Sequence, residues 1–202
     1  MLRIYHAPIT RSLRVIWLCE ELALPLDITP VDFSAAYRAT PEWRAISPIG
    51  KVPVLTDGAL RMYESGAMVQ YILDRYGDGR LQPQAGTEEH ALFLQWCWFA
   101  ESTLARPLGE IVNHGREFPG ERRIDAVVEE MKDRAALCLE PIIETTRNQP
   151  YLLGADFSAA DVMTGYSLML AHRLMPERIP DALAPYWQRL SERPAYQRAF
   201  AS

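Results

Sequence analysis

Apolar and polar positions change rhythm near residue 80. From residue 2 to 62, short runs of strand formers alternate with helical stripes, the pattern of an α/β layer. Leu2 to His6 is the first such run. Ser12 to Leu24 then carries Val15, Leu18, Cys19 and Leu22 at i, i+3, i+4 and i+7, one face of a helix that must stop before Pro25. A second strand is predicted from Leu26 to about Phe33 and a short helix from Pro41 to Ile46. Val52 to Leu55 and Ala59 to Tyr63, around Asp57-Gly58, read as a β-hairpin. Glu64 to Tyr76 is the next helix, ended by Gly77, so the first part reads β-α-β-(α)-β-β-α.

Gly77-Asp78-Gly79 through Gln82-Pro83-Gln84-Ala85-Gly86 is the richest cluster of chain breakers, and it marks a domain boundary. The expected organisation is a first domain over 1–78, a linker over 79–86 and an all-helical domain over 87–202. Thr87 to about Asn113 reads as one long apolar-faced helical segment. Glu121 to Arg147 carries Ile124, Val128, Met131, Ala135, Cys138 and Ile142 at helical steps, with a kink expected at Pro141. Ser158 followed three residues later by Asp161 is a helix start of the capping-box type. Short helices from about Asp181 and from Pro194 complete the chain.

Composition narrows the classes. Of 202 residues, 49% are hydrophobic and 23% charged, which excludes a disordered tail or a low-complexity linker. A net charge of −5 and a pI near 5.4 give no general attraction to nucleic acid or to an anionic membrane. The longest basic cluster, Arg122-Arg123, is flanked by Glu121 and Asp125, so no nucleic-acid or membrane partner is expected. Cys19, Cys97 and Cys138 are scattered, and His6, His90 and His172 stand alone, so no metal site is expected. Scattered thiols suit a reducing compartment. With no signal-peptide core after Met1 and no uncharged stretch of membrane-spanning length, the expected location is the cytoplasm.

Three segments of the first domain carry candidate chemistry. Thr10-Arg11-Ser12-Leu13-Arg14 lies where the opening strand meets its helix, where free amides, the helix dipole and a hydroxyl stabilise an anion such as a thiolate. The same residues also read as a plain N-cap. In Ser47-Pro48-Ile49-Gly50-Lys51-Val52-Pro53-Val54-Leu55, Pro53 cannot donate to a sheet and marks a strand start or edge, and a cis Val52-Pro53 bond would offer the Val52 backbone to a peptide ligand. Tyr63-Glu64-Ser65-Gly66 opens the next helix, where Ser65 and exposed amides suit a carboxylate.

In their order, these segments, with Glu-Ser-Gly-Ala-Met-Val-Gln-Tyr-Ile at 64–72, Phe-Ser-Ala-Ala-Asp-Val at 157–162 and Arg-Pro-Ala-Tyr at 193–196, resemble the cytosolic glutathione S-transferase family over nearly the whole chain. The resemblance implies an α/β plus all-α fold, with a thioredoxin-like N-terminal domain followed by an all-helical C-terminal domain. It also implies a homodimer with its active site in the interdomain cleft, glutathione as co-substrate and no metal. Carried over by position, Glu64 and Ser65 hold the γ-glutamyl end, Val52 ahead of Pro53 pairs with the cysteinyl part, and Lys51, one of only two lysines, neutralises the glycyl carboxylate. Thr10 and Ser12 are the candidate thiol activators, with Arg11 as electrostatic helper and Tyr5 ranked third. No cysteine occupies this region, which points to the bacterial, hydroxyl-type relatives rather than the cysteine-type ones.

The implied activity is a detoxifying conjugation of the glutathione thiolate to a small hydrophobic electrophile. A free thiol has a pKa near 8.5 and only its thiolate attacks, so a site that lowers the pKa raises the reactive fraction. Trp96, Phe99, Thr103 and Arg106 are the candidate electrophile pocket, in competition with ordinary core packing. Two other readings stay open: a glutathione-dependent cis-trans isomerase of the maleylacetoacetate type, and a non-catalytic glutathione- or protein-binding module on the same fold.

Overall fold

The computed structural model describes all of residues 1–202, which fold as two compact units. The first begins with β1 (Leu2–His6), α1 (Ser12–Leu22), β2 (Asp27–Pro30), α2 (Ala35–Arg38), α3 (Pro41–Ile46), β3 (Val54–Asp57), β4 (Leu60–Met62) and α4 (Ser65–Tyr76). The four strands form one mixed sheet in the order β2-β1-β3-β4. β1 runs parallel to β2 and antiparallel to β3, and β3 and β4 form the expected hairpin. Alternation in β1 turns Leu2, Ile4 and His6 inward. Because Pro53 has no N–H, the β3 ladder starts only at Val54, opposite Tyr5.

Local capping fixes the helix ends. α1 stops two residues before the predicted Leu24: Ala23 takes a left-handed φ of 54° and the Leu24 amide bonds the Cys19 carbonyl. α3 is capped by Thr40, whose hydroxyl accepts from the Trp43 amide, with Pro41 at its first position. α2, which apolar periodicity does not predict, is a single turn capped by Ser34. Asp57 at the end of β3 ties α4 to the sheet, accepting from Tyr76, from Tyr71 at 2.8 Å and from the Met1 ammonium at 3.4 Å.

The second unit, Leu81–Glu192, is helical: α5 (Glu88–Trp98), a π-helical turn at Phe99–Leu104, α6 (Ala105–Glu117), α7 (Asp125–Leu137), α8 (Leu139–Thr146), α9 (Ala159–Leu174) and α10 (Ala184–Ser191). The single long segment predicted for 87–113 is therefore interrupted. Pro107 lacks the N–H that would bond the Thr103 carbonyl, so α-helical bonding cannot run unbroken there, and the widened turn lies just ahead of it. The expected kink at Pro141 is a break at Cys138: Pro141 stands third in α8, where its missing N–H is an end group with no helical partner to lose. The capping box at Ser158 forms as expected. Its Asp161 is fully buried and accepts from the Ser158 amide (2.9 Å), the Ser158 hydroxyl (3.0 Å), the Leu152 amide (3.0 Å) and the Tyr186 hydroxyl (2.8 Å).

The last helix is α11 (Pro194–Phe200), and Arg193–Ser202 falls in the first compact unit with Met1–Arg80. Arg193 forks onto Glu21 at 2.6 and 2.8 Å, Arg198 reaches Glu20 at 2.6 Å, and Tyr196 and Phe200 pack edge-on against Trp17. No periodicity within 193–202 could reveal partners lying so far back in the chain. No helix is long and apolar enough to cross a membrane.

Asp161→Ala strands several buried donors, so we expect the denaturant midpoint to fall by the equivalent of about 3 kcal/mol, measured by urea unfolding. The Tyr76 and Tyr71 hydroxyls hold the Asp57 carboxyl below its usual 3.8. Its stabilising contribution is complete above that value and is lost as pH falls through the lowered folded value. Thermal melts between pH 5 and about pH 2 should therefore show a shallower acid loss in Asp57→Asn than in the parent.

Candidate active site

The chain leaves β1 at His6 and turns through Ala7–Arg11 before α1 begins. Ile9 takes φ 61° in this turn. The helix start does not use either hydroxyl as a cap: Arg11 holds the cap position and its side chain makes no capping bond. Instead, Thr10 Oγ1 donates to the Ala7 carbonyl at 2.6 Å and lies 2.6 Å from Ser12 Oγ, which lies 2.7 Å from His6 Nδ1. Thr10 and Arg11 are half-buried, whereas Ser12 is wholly buried.

The second segment is locked from within. Ser47 Oγ accepts from the Lys51 amide at 2.9 Å and donates to the Lys51 carbonyl at 2.7 Å, while the Gly50 amide bonds the Ser47 carbonyl at 2.8 Å. Gly50 takes φ +64°, and a Cβ there would stand 2.7 Å from the Arg38 carbonyl oxygen. Lys51 is thereby held exposed at the loop tip. The Val52-Pro53 bond is cis, and Val52 packs with Ala7, Trp43 and Val54.

The third segment opens α4. Glu64 adopts φ 69° with an exposed side chain, and Ser65 is buried, its hydroxyl accepting from Arg14 at 3.2 Å. No acidic side chain occupies the first turn of α4, so its amides face no competing carboxylate of their own helix. The Tyr5–Val54 register sets Pro53 beside the end of β1, and the Arg14–Ser65 bond joins the starts of α1 and α4. One end of the first unit thus gathers Thr10, Arg11, Val52, Pro53 and Ser65. Two helix N-termini and a lysine suit a ligand with separate anionic groups, and the partly exposed hydroxyl suits a polarisable anion between them.

Other candidates fall elsewhere. Tyr5 packs edge-on against Trp43 at 5.7 Å, within the aromatic cluster under β1. Trp96 is only 6% exposed and packs against Phe99 at 5.4 Å, while Thr103 and Arg106 are exposed. Cys19 is a buried free thiol, and burial pushes its pKa up to about 12, so it supplies no thiolate near neutral pH. No three His, Cys, Asp or Glu side chains come together in a way able to hold a metal. His6, Arg14 and Ser47 are missing from the set that motif spacing picks out. The inward face of β1 was a signal for His6, and the buried stripe of α1 for Arg14; the Ser47 loop closure left none.

Residues 1–74 match the family model described as the glutathione S-transferase N-terminal domain. The chain is 26% identical over 210 residues to glutathione S-transferase 3 of Schizosaccharomyces pombe, covering 96% of this chain and 85% of the relative. It is 27% identical over 169 residues to the disulfide-bond oxidoreductase YfcG of Escherichia coli, covering 80% and 76%. Among solved structures, it superposes on the theta class glutathione S-transferase of Xanthomonas axonopodis pv. citri, solved with glutathione bound. The TM-score is 0.86 and the identity 29%, over 100% of this chain and 97% of that one.

The Gly50 geometry gives a direct test. Gly50→Ala forces a left-handed alanine against a backbone carbonyl and should cost about 1–3 kcal/mol in thermal or urea unfolding, whereas Gly58→Ala, in open space though also at positive φ, should cost less.

Proposed function

We propose that this chain, supported by these comparisons as a member of the cytosolic glutathione S-transferase family, is a hydroxyl-type transferase that conjugates glutathione to a small hydrophobic electrophile. The observation that carries the reading is the half-buried Thr10 hydroxyl at the start of α1, backed by Ser12, with the exposed Lys51 loop and the start of α4 at the same end of the unit. Glutathione supplies a thiol whose unperturbed pKa lies near 8.5. Thr10 donates to its sulfur, the first amides of α1 and Arg11 add positive potential, and the thiolate fraction at neutral pH rises. Ser65 and the α4 amides, with Glu64, take the γ-glutamyl end; the Val52 backbone takes the cysteinyl part, and Lys51 the glycyl carboxylate. Phe99, Thr103 and Arg106, with Trp96 behind Phe99, are assigned to the electrophile. The family reading carries with it a cytoplasmic homodimer of bacterial type.

A second reading rests on the relative named a disulfide-bond oxidoreductase. Two glutathione thiols would reduce one disulfide to two thiols and leave as glutathione disulfide. In this reading both electrons come from glutathione, and Cys19, buried with its pKa pushed up to about 12, takes no part.

Retention on immobilised glutathione, an aryl-halide conjugation assay and a small-disulfide reduction assay separate these readings from a binding module without turnover. Retention with conjugation is the expected result; no retention and no activity in either assay would overturn both. Thr10→Val, which keeps the side-chain volume, should lower the conjugation rate at least about tenfold with the KM for glutathione within about twofold. Lys51→Ala should instead raise that KM several-fold, and Cys19→Ala should leave turnover intact. Unchanged turnover in Thr10→Val removes that hydroxyl from the mechanism.

A further inference from the structure

The hydrogen bonds at the end of β1 run in one direction. The Ala7 carbonyl can only accept, so the Thr10 proton lies on the 2.6 Å contact between them. With that proton committed, the 2.6 Å contact between Thr10 and Ser12 requires the Ser12 proton. Ser12 then has none left for the ring, and the 2.7 Å contact to His6 requires an N–H on Nδ1. His6 is 4% exposed and its Nε2 is buried without a hydrogen-bond partner. Burial holds its pKa below the usual 6.5, outweighing the Ser202 backbone, which acts in the opposite sense.

We propose that His6 is a positioning residue for thiol activation: its Nδ1–H anchors a chain through Ser12 that fills one lone pair of Thr10 and leaves the Thr10 proton free to turn from Ala7 to sulfur. This rests on the glutathione reading above. Each donor in such a chain polarises the next, so the Thr10 hydroxyl becomes a stronger donor than an isolated one. The direction also matters. If the chain ran from Thr10 to His6, Thr10 would spend its proton on Ser12 and could only accept, and a thiolate facing it would be repelled.

The test uses the intact protein. First, 15N NMR of the histidine side chains should show His6 as the neutral Nδ1–H tautomer; an Nε2–H tautomer, with its proton turned toward Ser202, overturns the proposal whether or not glutathione binds. Second, the ultraviolet band of bound thiolate is titrated in the parent, in His6→Leu and in His6→Asn, whose amide sets a donor where Nδ1 stands. His6→Leu should lower the bound thiolate fraction and kcat at slightly acid pH by about two- to tenfold, the size of one lost hydrogen bond, with the glutathione dissociation constant unchanged. His6→Asn should restore most of both. Equal thiolate in the parent and His6→Leu overturns the relay alone, as does an Asn variant no better than Leu, which would mean packing. No thiolate band in the parent overturns the glutathione reading itself.

Discussion

Polar groups removed from water must find partners, and the end of the first unit's sheet is organised by that requirement. His6, Ser12, Arg14 and Ser65 are all buried where β1, α1 and α4 meet. A satisfied hydrogen bond contributes about 1 kcal/mol net, whereas a buried group left alone costs about 1–3 kcal/mol, so the penalty for a wrong arrangement exceeds the gain from a right one. The chain therefore has few ways to bury these residues. His6–Ser12–Thr10–Ala7 forms one set, with only His6 Nε2 outside it, and Arg14–Ser65 another, and together they fix where two helix N-termini stand relative to the sheet.

The same requirement explains the second unit's anchor. Asp161 is the most buried carboxyl of that unit, and its donors come from the start of α9, from the Leu152 loop and from Tyr186 on α10. Apolar packing alone would allow these elements to slide; a carboxylate whose two oxygens each take two donors does not. The ion pairs of α11 differ in kind. Arg198–Glu20 is exposed and contributes little, whereas the Arg193–Glu21 fork is largely shielded, shares Glu21 with the Trp17 indole and so sets how α11 lies on α1.

Much of this was legible in the sequence because the signals were local. Strand and helix rhythm, the capping box, the hairpin at Asp57-Gly58 and the proline ahead of β3 all act within a few residues. What was not legible depended on contacts distant in sequence, or on a competition that spacing does not weigh. Ser12 and Thr10 look like caps, but their hydroxyls bond His6, the Ala7 carbonyl and each other instead of the helix end. Pro141 looked like a kink, yet a break three residues earlier removes its cost altogether. Trp96 sits at pocket spacing but is only 6% exposed, a burial that spacing does not foretell. Arg193 reads as a surface residue until Glu21 is in place.

The backbone carries a further sign of what this end of the molecule is for. Ile9, Gly50 and Glu64 all take positive φ, at 61°, 64° and 69°: Ile9 just ahead of the first candidate segment, Gly50 and Glu64 within the other two, while Asp78 and Leu81 take it in the breaker cluster. For a β-branched isoleucine and for a glutamate this region costs about 1–3 kcal/mol, and Ile9 is 43% exposed. Ala23 shows the ordinary use of the same conformation, closing a helix with a hydrogen bond. At Ile9 and Glu64 the strain is held instead by the bonded groups beside them: Thr10 tied to Ala7 and Ser12, and Ser65 tied to Arg14. A loop selected for stability alone would relax. Ile9 and Glu64 thus stand in a strained conformation next to hydrogen-bonded helix starts, whereas Gly50 adopts the same region without strain, and the loops they belong to are ordered by folding itself.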